Sequence, residues 1–321
     1  MDIVSAIASI NALVLAILIS SKKQKSISDY ILIVWVINFA FHFAIPFLIE
    51  RQILFHESLW GFIMGIFVVA HAPFIFVYAN SLTDPEFRFD VKNFWYFGLI
   101  LIYIAAFIPY LTLSQDDRME LVLHKQDLSL YILLPMLTLL LLRVYFLIRT
   151  IMVLMKHQYS IKQSFSYEKE INLAWLKRIA YGFFALIVLS FVCYGLVSAQ
   201  LITIFWMDYI LIIANMLLFF YIAFSGYKQN AIQGMGQQSV APDKKAEEPI
   251  KAAMTTTRAE PDSKESPDPI IAELLHMMDR DKLYLEPELN IGNVAYQLNV
   301  HSHQLSKLLN SRLEKNFFEF V

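Results

Sequence analysis

YILIVWVINFAFHFAIPFLI, Tyr30–Ile49, runs for twenty residues without an Asp, Glu, Lys or Arg. About 20 predominantly apolar residues in a helix are enough to cross the hydrocarbon core of a bilayer. The stretch is apolar all round rather than along one stripe, so it predicts a membrane helix and not a surface helix of a soluble domain. The surrounding chain repeats the pattern. Hydrophobic residues make up 57% of the 321 and charged residues 17%, against about 45–50% and about 25% in ordinary soluble domains. The mean hydropathy is +0.51. This excess lies in long runs before residue 228 and a polar stretch follows, which predicts a membrane domain first and a soluble domain second.

Seven runs reach spanning length: Ile3–Ser20, Tyr30–Ile49, Leu59–Leu82, Phe94–Leu113, Leu130–Met155, Ile179–Ala199 and Tyr209–Tyr227. Lys and Arg are retained on the cytoplasmic side, so the loops give a direction. The odd connections carry Lys22, Lys23, Lys25, Arg88, Lys92, Arg149, Lys156, Lys162, Lys169, Lys177 and Arg178, eleven in all. The even ones carry only Arg51, Arg118 and Lys125. The N-terminus is therefore expected outside and the C-terminus in the cytoplasm. The leader MDIV is acidic where a secretory signal peptide needs a basic start. Cys193 is the single cysteine, which excludes an intrachain disulfide.

Asn38 and His42 fall in the second run, His71 in the third, Arg143 in the fifth and Asn215 in the seventh. Polar and ionisable residues at membrane depth are costly and mark functional sites by default, so Asn38, His42, His71 and Asn215 are ligand-sensing candidates. The competing reading is hydrogen bonding between helices for the Asn and His residues, and snorkelling for Arg143. Two histidines without further ligands make no metal site, and no HExxH motif is present. Pro46, Pro73, Pro109 and Pro135 are expected to kink their helices. In the fifth loop, FSYEKEINLAWLKR (Phe165–Arg178) predicts a helix capped by Ser166 and running into the sixth span, with Trp175 at the membrane interface.

From residue 229 to 268 the text is polar, rich in Pro, Gln, Ser, Lys and Glu, and predicts a disordered tether. Its 40 residues span on the order of 35 Å as a flexible chain. The organisation expected is thus a membrane domain over 1–228, a tether over 229–268 and a soluble helical cassette over 269–321, all-α throughout.

The cassette opens with a helix whose apolar face is Ile270, Ile271, Leu274, Leu275 and Met278. Ile291, Val294, Ala295 and Leu298 then mark a second helix at i, i+3, i+4, i+7 spacing. Asn299 suits the left-handed conformation that stops it. Ser302 is the expected N-cap of a third helix with Leu305, Leu308 and Leu309 turned inward. Such a pair reads as a helix-turn-helix, whose second helix enters the major groove of DNA. Its outward positions are His303, Gln304, Lys307 and Asn310, with Ser306 near the edge. Gln and Asn can pair bidentately with adenine, and Lys reaches guanine or phosphate. A phosphate could sit on the free N–H groups near Ser302, and Arg312 and Lys315 are placed for backbone contacts. The alternative is a helical hairpin that binds a protein. Pro269–Val321 carries five Lys/Arg against seven Asp/Glu, where DNA-binding domains are usually basic.

LYLEPELNIGNVAYQLNVHSHQLSKLLNSRLEKNFFEFV, Leu283–Val321, resembles the first half of an AraC/XylS-type DNA-binding domain. The matching features are Tyr284, Pro287 and Leu289 ahead of the hairpin, and Ala295 with Leu298-Asn299 at the first helix end. Leu305-Ser306 in the reading helix and Asn316-Phe317 after it match as well. Pro73–Asp90 and the fifth loop resemble bacterial proteins in which a seven-span sensor precedes such a domain. The resemblance implies a membrane-bound transcription regulator of the bacterial cytoplasmic membrane. It also implies a second helix-turn-helix unit, which the text to Val321 lacks, so a truncated fragment is expected. Expected partners are DNA, membrane lipid, a second copy of the chain and an unidentified signal ligand. No cofactor is expected. No nucleophile motif, carboxylate pair or phosphate loop stands out, so catalysis is not expected. A transporter or membrane receptor with a protein-binding tail is the rival.

Overall fold

The computed structural model describes residues 2–51, 59–84, 86–123, 130–166, 173–240, 269–287 and 289–321. Most of the expected tether, 241–268, lies outside the described residues. Among the described residues the architecture is all-helical, with one isolated bridge between Phe165 and Asn290. The chain forms two compact units, Met1–Leu154 with Ala174–Asn230, and Met155–Leu173 with Ala231–Val321.

The first unit contains α1 (Asp2–Ser20), α2 (Ile27–Glu50), α3 (Trp60–Thr83), α4 (Val91–Gly98), α5 (Ile100–Leu111), α6 (Gln115–Leu123) and α8 (Ala174–Ser198). It also holds most of α7 (Leu130–Ser164) and α9 (Ile204–Val240). Among the described residues seven stretches are long and apolar enough to cross a membrane, in agreement with the runs expected from sequence. The fourth, Asn93–Leu111, consists of two helices interrupted at Leu99. The α2 and α3 spans are 56% and 67% buried, against 11% for Asn93–Leu111 and 17% for Leu130–Ser164. The centre of the bundle is therefore α2 with α3, and the outer helices turn apolar side chains outward, as lipid contact permits.

Local chemistry explains the pairing of α1 with α2. Ser5, Ala8, Ala12 and Ala16 form a buried stripe of small side chains that lets the two backbones approach. The Ser9 hydroxyl donates to the carbonyl of Ala40 at 2.9 Å. At the turn, the Ser26 N–H donates to the Asp29 carboxylate at 2.8 Å. Asp29 is buried and paired with Lys22 at 3.1 Å, and Lys22 also donates to the carbonyl of Tyr227 on α9. A buried carboxylate persists when it is paired and hydrogen-bonded in this way. Pro46, Pro73, Pro109 and Pro135 each lie inside a helix that continues past them.

Two helices extend further than their apolar runs. No Pro or Gly lies between Met155 and Ser164, and α7 continues to Ser164. Likewise α9 continues through the first part of the expected tether to Val240. At Ser166 the N–H and hydroxyl both donate to the carbonyl of Leu289, at 3.1 and 2.8 Å. Residues 167–172, the rest of the helix turn expected in the fifth loop, lie outside the described residues. Trp175 packs edge-on against Tyr78.

In the second unit the tail of α7 is joined by α10 (Pro269–Asp281), a short turn at Leu283–Leu285, α11 (Ile291–Gln297), α12 (Ser302–Arg312) and α13 (Phe317–Phe320). One apolar cluster gathers Leu274, Met278, Leu289, Val294, Leu305 and Phe317 among others. The buried face of α10 is Ile271, Leu274, Met277 and Met278, whereas Leu275 is turned to the exterior. Leu305 and Leu309 are fully buried and Leu308 sits at the margin. Asn290 caps α11 by accepting the N–H of Asn293 at 3.0 Å. Asn299 adopts the left-handed conformation, φ 53°. Around it the Val300 N–H donates to Ala295 and the Asn299 N–H to Tyr296, the paired bonds of a Schellman ending. Ser302 is the first residue of α12 rather than its cap, because His301 takes the extended capping position and makes no side-chain cap bond. Asn316 opens α13 with a full capping box to Glu319.

Candidate nucleic-acid interface and buried polar cluster

The seven residues expected to meet DNA all fall on α12. Leu305 and Leu309 fix the inner side of the helix, so the opposite positions face outward by helical geometry. Ser302, His303, Gln304, Lys307, Asn310 and Arg312 are exposed and Ser306 is half-buried. Lys315 is exposed in the turn that follows. The arrangement presents two carboxamides, an imidazole, hydroxyls and two cations along one helix of eleven residues. These are the groups that pair with base edges and phosphates.

That face already holds one internal contact. Gln163, in the last turn of α7 and within the same unit, accepts from the Ser306 hydroxyl at 3.0 Å and from the Asn310 amide at 2.8 Å through Oε1. Its own amide donates to Asn310 Oδ1 at 3.4 Å. Asn310 Nδ2 also donates to the carbonyl of Ser306 at 2.9 Å. Beside this, the Phe165–Asn290 bridge and the two Ser166 bonds to Leu289 hold the segment after α7 at the start of α11. Lys162 lies over the ring of Phe318. Sequence reasoning missed Gln163, because a polar residue in a charged loop carries no periodic signal.

In the bundle, three of the four residues flagged from sequence as ligand-sensing meet in one hydrogen-bonded chain. Trp35 Nε1 donates to His71 Nδ1 at 3.1 Å. An indole N–H can only donate, so His71 Nδ1 is an acceptor and the proton of that ring is on Nε2. His71 Nε2 therefore donates to His42 Nδ1, 2.9 Å away, and His42 carries its proton on Nε2. Asn38 Nδ2 donates to the carbonyl of Phe67 at 3.1 Å and lies 3.1 Å from His71 Nδ1, where it shares the single lone pair with Trp35. The rings are stacked into an aromatic core, with Phe39 3.9 Å from His71 and Trp35 parallel to Phe183.

Asn215, the fourth, joins this group through a cavity. A space of about 170 Å³ is walled by His42, Arg143, Asp208 and Asn215 together with apolar side chains such as Pro46 and Met64. Arg143 is half-buried in that wall, although the sequence also allowed it to snorkel. Asn215 donates to the carbonyl of Leu211 one turn back, at 2.8 Å. The arrangement can hold a proton order along three aromatic rings and place the end of that order at a small polar space. Among the described residues no group of three or more metal-ligating side chains comes together.

No family model matches the chain, and neither a curated protein nor a solved structure matches it.

Proposed function

We propose that the chain is a membrane-bound, sequence-specific DNA-binding transcription regulator of the AraC/XylS type that its last residues resemble. It couples a signal received in the helical bundle to gene expression. The observation that carries this reading is the α11–α12 pair. A Schellman ending at Asn299 sets two short helices on a shared apolar core and leaves the polar side of α12 exposed. On this reading Gln304 and Asn310 read adenine edges, and Lys307 takes guanine or phosphate. Arg312 and Lys315 bind the backbone, and a phosphate rests near Ser302. The excess of Lys and Arg in the odd loops supports a cytoplasmic α12 in the bacterial inner membrane, with the N-terminus outside.

The bundle then serves as a sensor, not an enzyme, with the cavity at His42 and Asn215 as its signal site. Self-association of the bundle places two polar tethers, and two readers, side by side, which raises the local concentration of one reader for DNA held by the other.

The test is selection from a randomised duplex pool by the full chain in lipid nanodiscs at low salt. Enrichment of a defined sequence that outcompetes random DNA supports the reading. A folded chain that enriches nothing, as the parent and as Gln163→Ala alike, overturns it. A second reading, a receptor whose tail binds a protein, is favoured by the net acidity of Pro269–Val321. A protein contact holds as salt rises where DNA binding falls steeply, so the same preparation separates the two.

A further inference from the structure

Residues 162–166 touch three successive elements of the second unit. Lys162 lies over Phe318 of α13, Gln163 binds Ser306 and Asn310 of α12, and Phe165 and Ser166 are registered on Leu289 and Asn290 ahead of α11. The bonds of Ser166 to Leu289 and of Ser306 to Gln163 are half-buried, and with Lys162 and Phe165 they hold the segment on the unit. The Gln163–Asn310 pair joins exposed groups, and such bonds contribute little net stability, because water replaces them on both sides. What they do is occupy particular side chains.

The chemistry of that occupation is specific. The Gln163 carboxamide offers one acceptor and one donor, in the fork geometry of an amide, to the donor and acceptor of Asn310. An adenine edge in the major groove offers the same complement, N7 as acceptor and the N6 amino group as donor. Asn310 cannot serve both partners at once. Ser306, the half-buried member of the reading face, is taken by the same Gln163 oxygen.

We propose that the last turn of α7 is an internal occupant of the DNA-reading face, with Gln163 standing where an adenine edge would pair. DNA and residues 162–166 compete for Asn310 and Ser306, and the reader is closed until the segment leaves. The proposal rests on α12 being a reader of DNA and adds how that face is regulated.

The experiment uses the full chain in lipid nanodiscs and has two readouts. The first is the clasp itself, read by cross-linking of a Gln163→Cys, Asn310→Cys pair in a Cys193→Ser background with a short bis-methanethiosulfonate reagent, which bridges side chains that meet only through their far ends and is released by reduction. The cross-link is expected to form readily and to fall away when Ser166→Ala and Phe165→Ala loosen the register. The second is affinity for the duplex enriched from the randomised pool. Gln163→Ala is expected to lower the apparent Kd by about ten-fold, since apparent affinity scales with the open fraction. Gln163→Glu keeps an acceptor for both Ser306 and Asn310 and is expected to stay within about two-fold of the parent. The cross-linked pair is expected to bind more weakly than its own reduced form, the loss of the Asn310 contact being common to both.

If the cross-link does not form, there is no clasp and the proposal fails. If it forms but Gln163→Ala binds DNA no better than the parent, the clasp does not close the reader and the proposal fails while DNA reading stands. If the cross-link forms and no variant, Gln163→Ala included, binds any duplex, it is the reading of α12 as a DNA reader that has failed.

Discussion

Asn38 and Asn310 carry the same side chain in two regions that treat it in opposite ways. In the bundle, both amide hydrogens of Asn38 are committed to fixed partners, and its neighbours His42 and His71 are buried. On α12, Asn310 is exposed and its partners are a helix carbonyl and a glutamine from elsewhere in the unit. Water can replace each partner of Asn310, whereas Trp35, His42 and His71 are buried and hold one another. The same chemistry therefore makes a lock in one place and an exchangeable contact in the other. Where a polar residue sits decides whether it specifies the fold or is available to a ligand.

The largest effect expected from this difference is at His71. His71→Ala removes the acceptor of Trp35 and Asn38 and the donor to His42. Interhelical hydrogen bonds in membranes are worth about 0.6 kcal/mol on average and at most about 1.7. Stranded buried partners and the cavity left behind add to that, so a loss of about 2–4 kcal/mol is expected. Unfolding of the full chain in detergent measures it. The matching change on the other side, Asn310→Ala, is expected to move stability by less than about 0.5 kcal/mol. Equal losses would erase the comparison.

Much of this contrast was legible in the residues and part was not. Seven apolar runs of spanning length are visible in the text because a bilayer imposes its thickness directly on the chain. Asn299 as the end of α11 was legible because few side chains tolerate a positive φ. The assembly of Asn38, His42 and His71 into one chain was not, because which helices adjoin is settled by packing, and apolar helices look alike from outside. The α7 extension was hidden for another reason. Hydropathy reports where lipid contact ends, whereas a helix ends where its backbone finds a stop, and none follows Met155 before Ser164. Gln163 was invisible because its role comes from a partner 147 positions away.

Next in size is the effect on sequence reading, which sharpens the exchangeable half of the comparison. If α12 reads DNA as proposed, Gln304→Ala is expected to cost about 1–3 kcal/mol of discrimination at one base, with non-specific binding little changed. Lys307→Ala, as a phosphate contact, is expected to weaken all duplexes alike and to lower the salt slope by about 1. Competition binding over a salt series separates them. Identical behaviour of the two variants would mean that α12 does not divide its exposed groups between bases and backbone.

A smaller effect tests whether the geometry of the reading face is set by its turn. Asn299 holds φ 53°, a conformation that costs an ordinary L-residue roughly 1–2 kcal/mol. Asn299→Ala is expected to destabilise the α11–α12 pair by about that much. Asn299→Gly is expected to leave it within about 0.5 kcal/mol. Hydrogen exchange of residues 291–312 in the full chain reads both. If glycine is as damaging as alanine, Asn299 acts through its side chain and not through its backbone.

The smallest expected difference separates Ser302, the cap expected for α12 from sequence, from Asn316, which caps α13. Asn316 accepts the N–H of Glu319 at 2.9 Å and its own N–H donates to the Glu319 carboxylate at 3.2 Å. Ser302 is inside the first turn of α12, where the extended residue is His301 and no side chain caps the helix. Replacing a working cap by alanine costs about 1 kcal/mol. Asn316→Ala should therefore raise exchange through α13, and Ser302→Ala should leave α12 within about 0.5 kcal/mol of the parent. Any larger loss at Ser302 would mean that the hydroxyl caps α12 after all, and that the helix begins one residue later than His301 implies. The exposed Ser302 hydroxyl is then bound to its own backbone and is not free for phosphate. The two substitutions thus decide whether the first turn of α12 is a structural cap or an open end that a ligand can use.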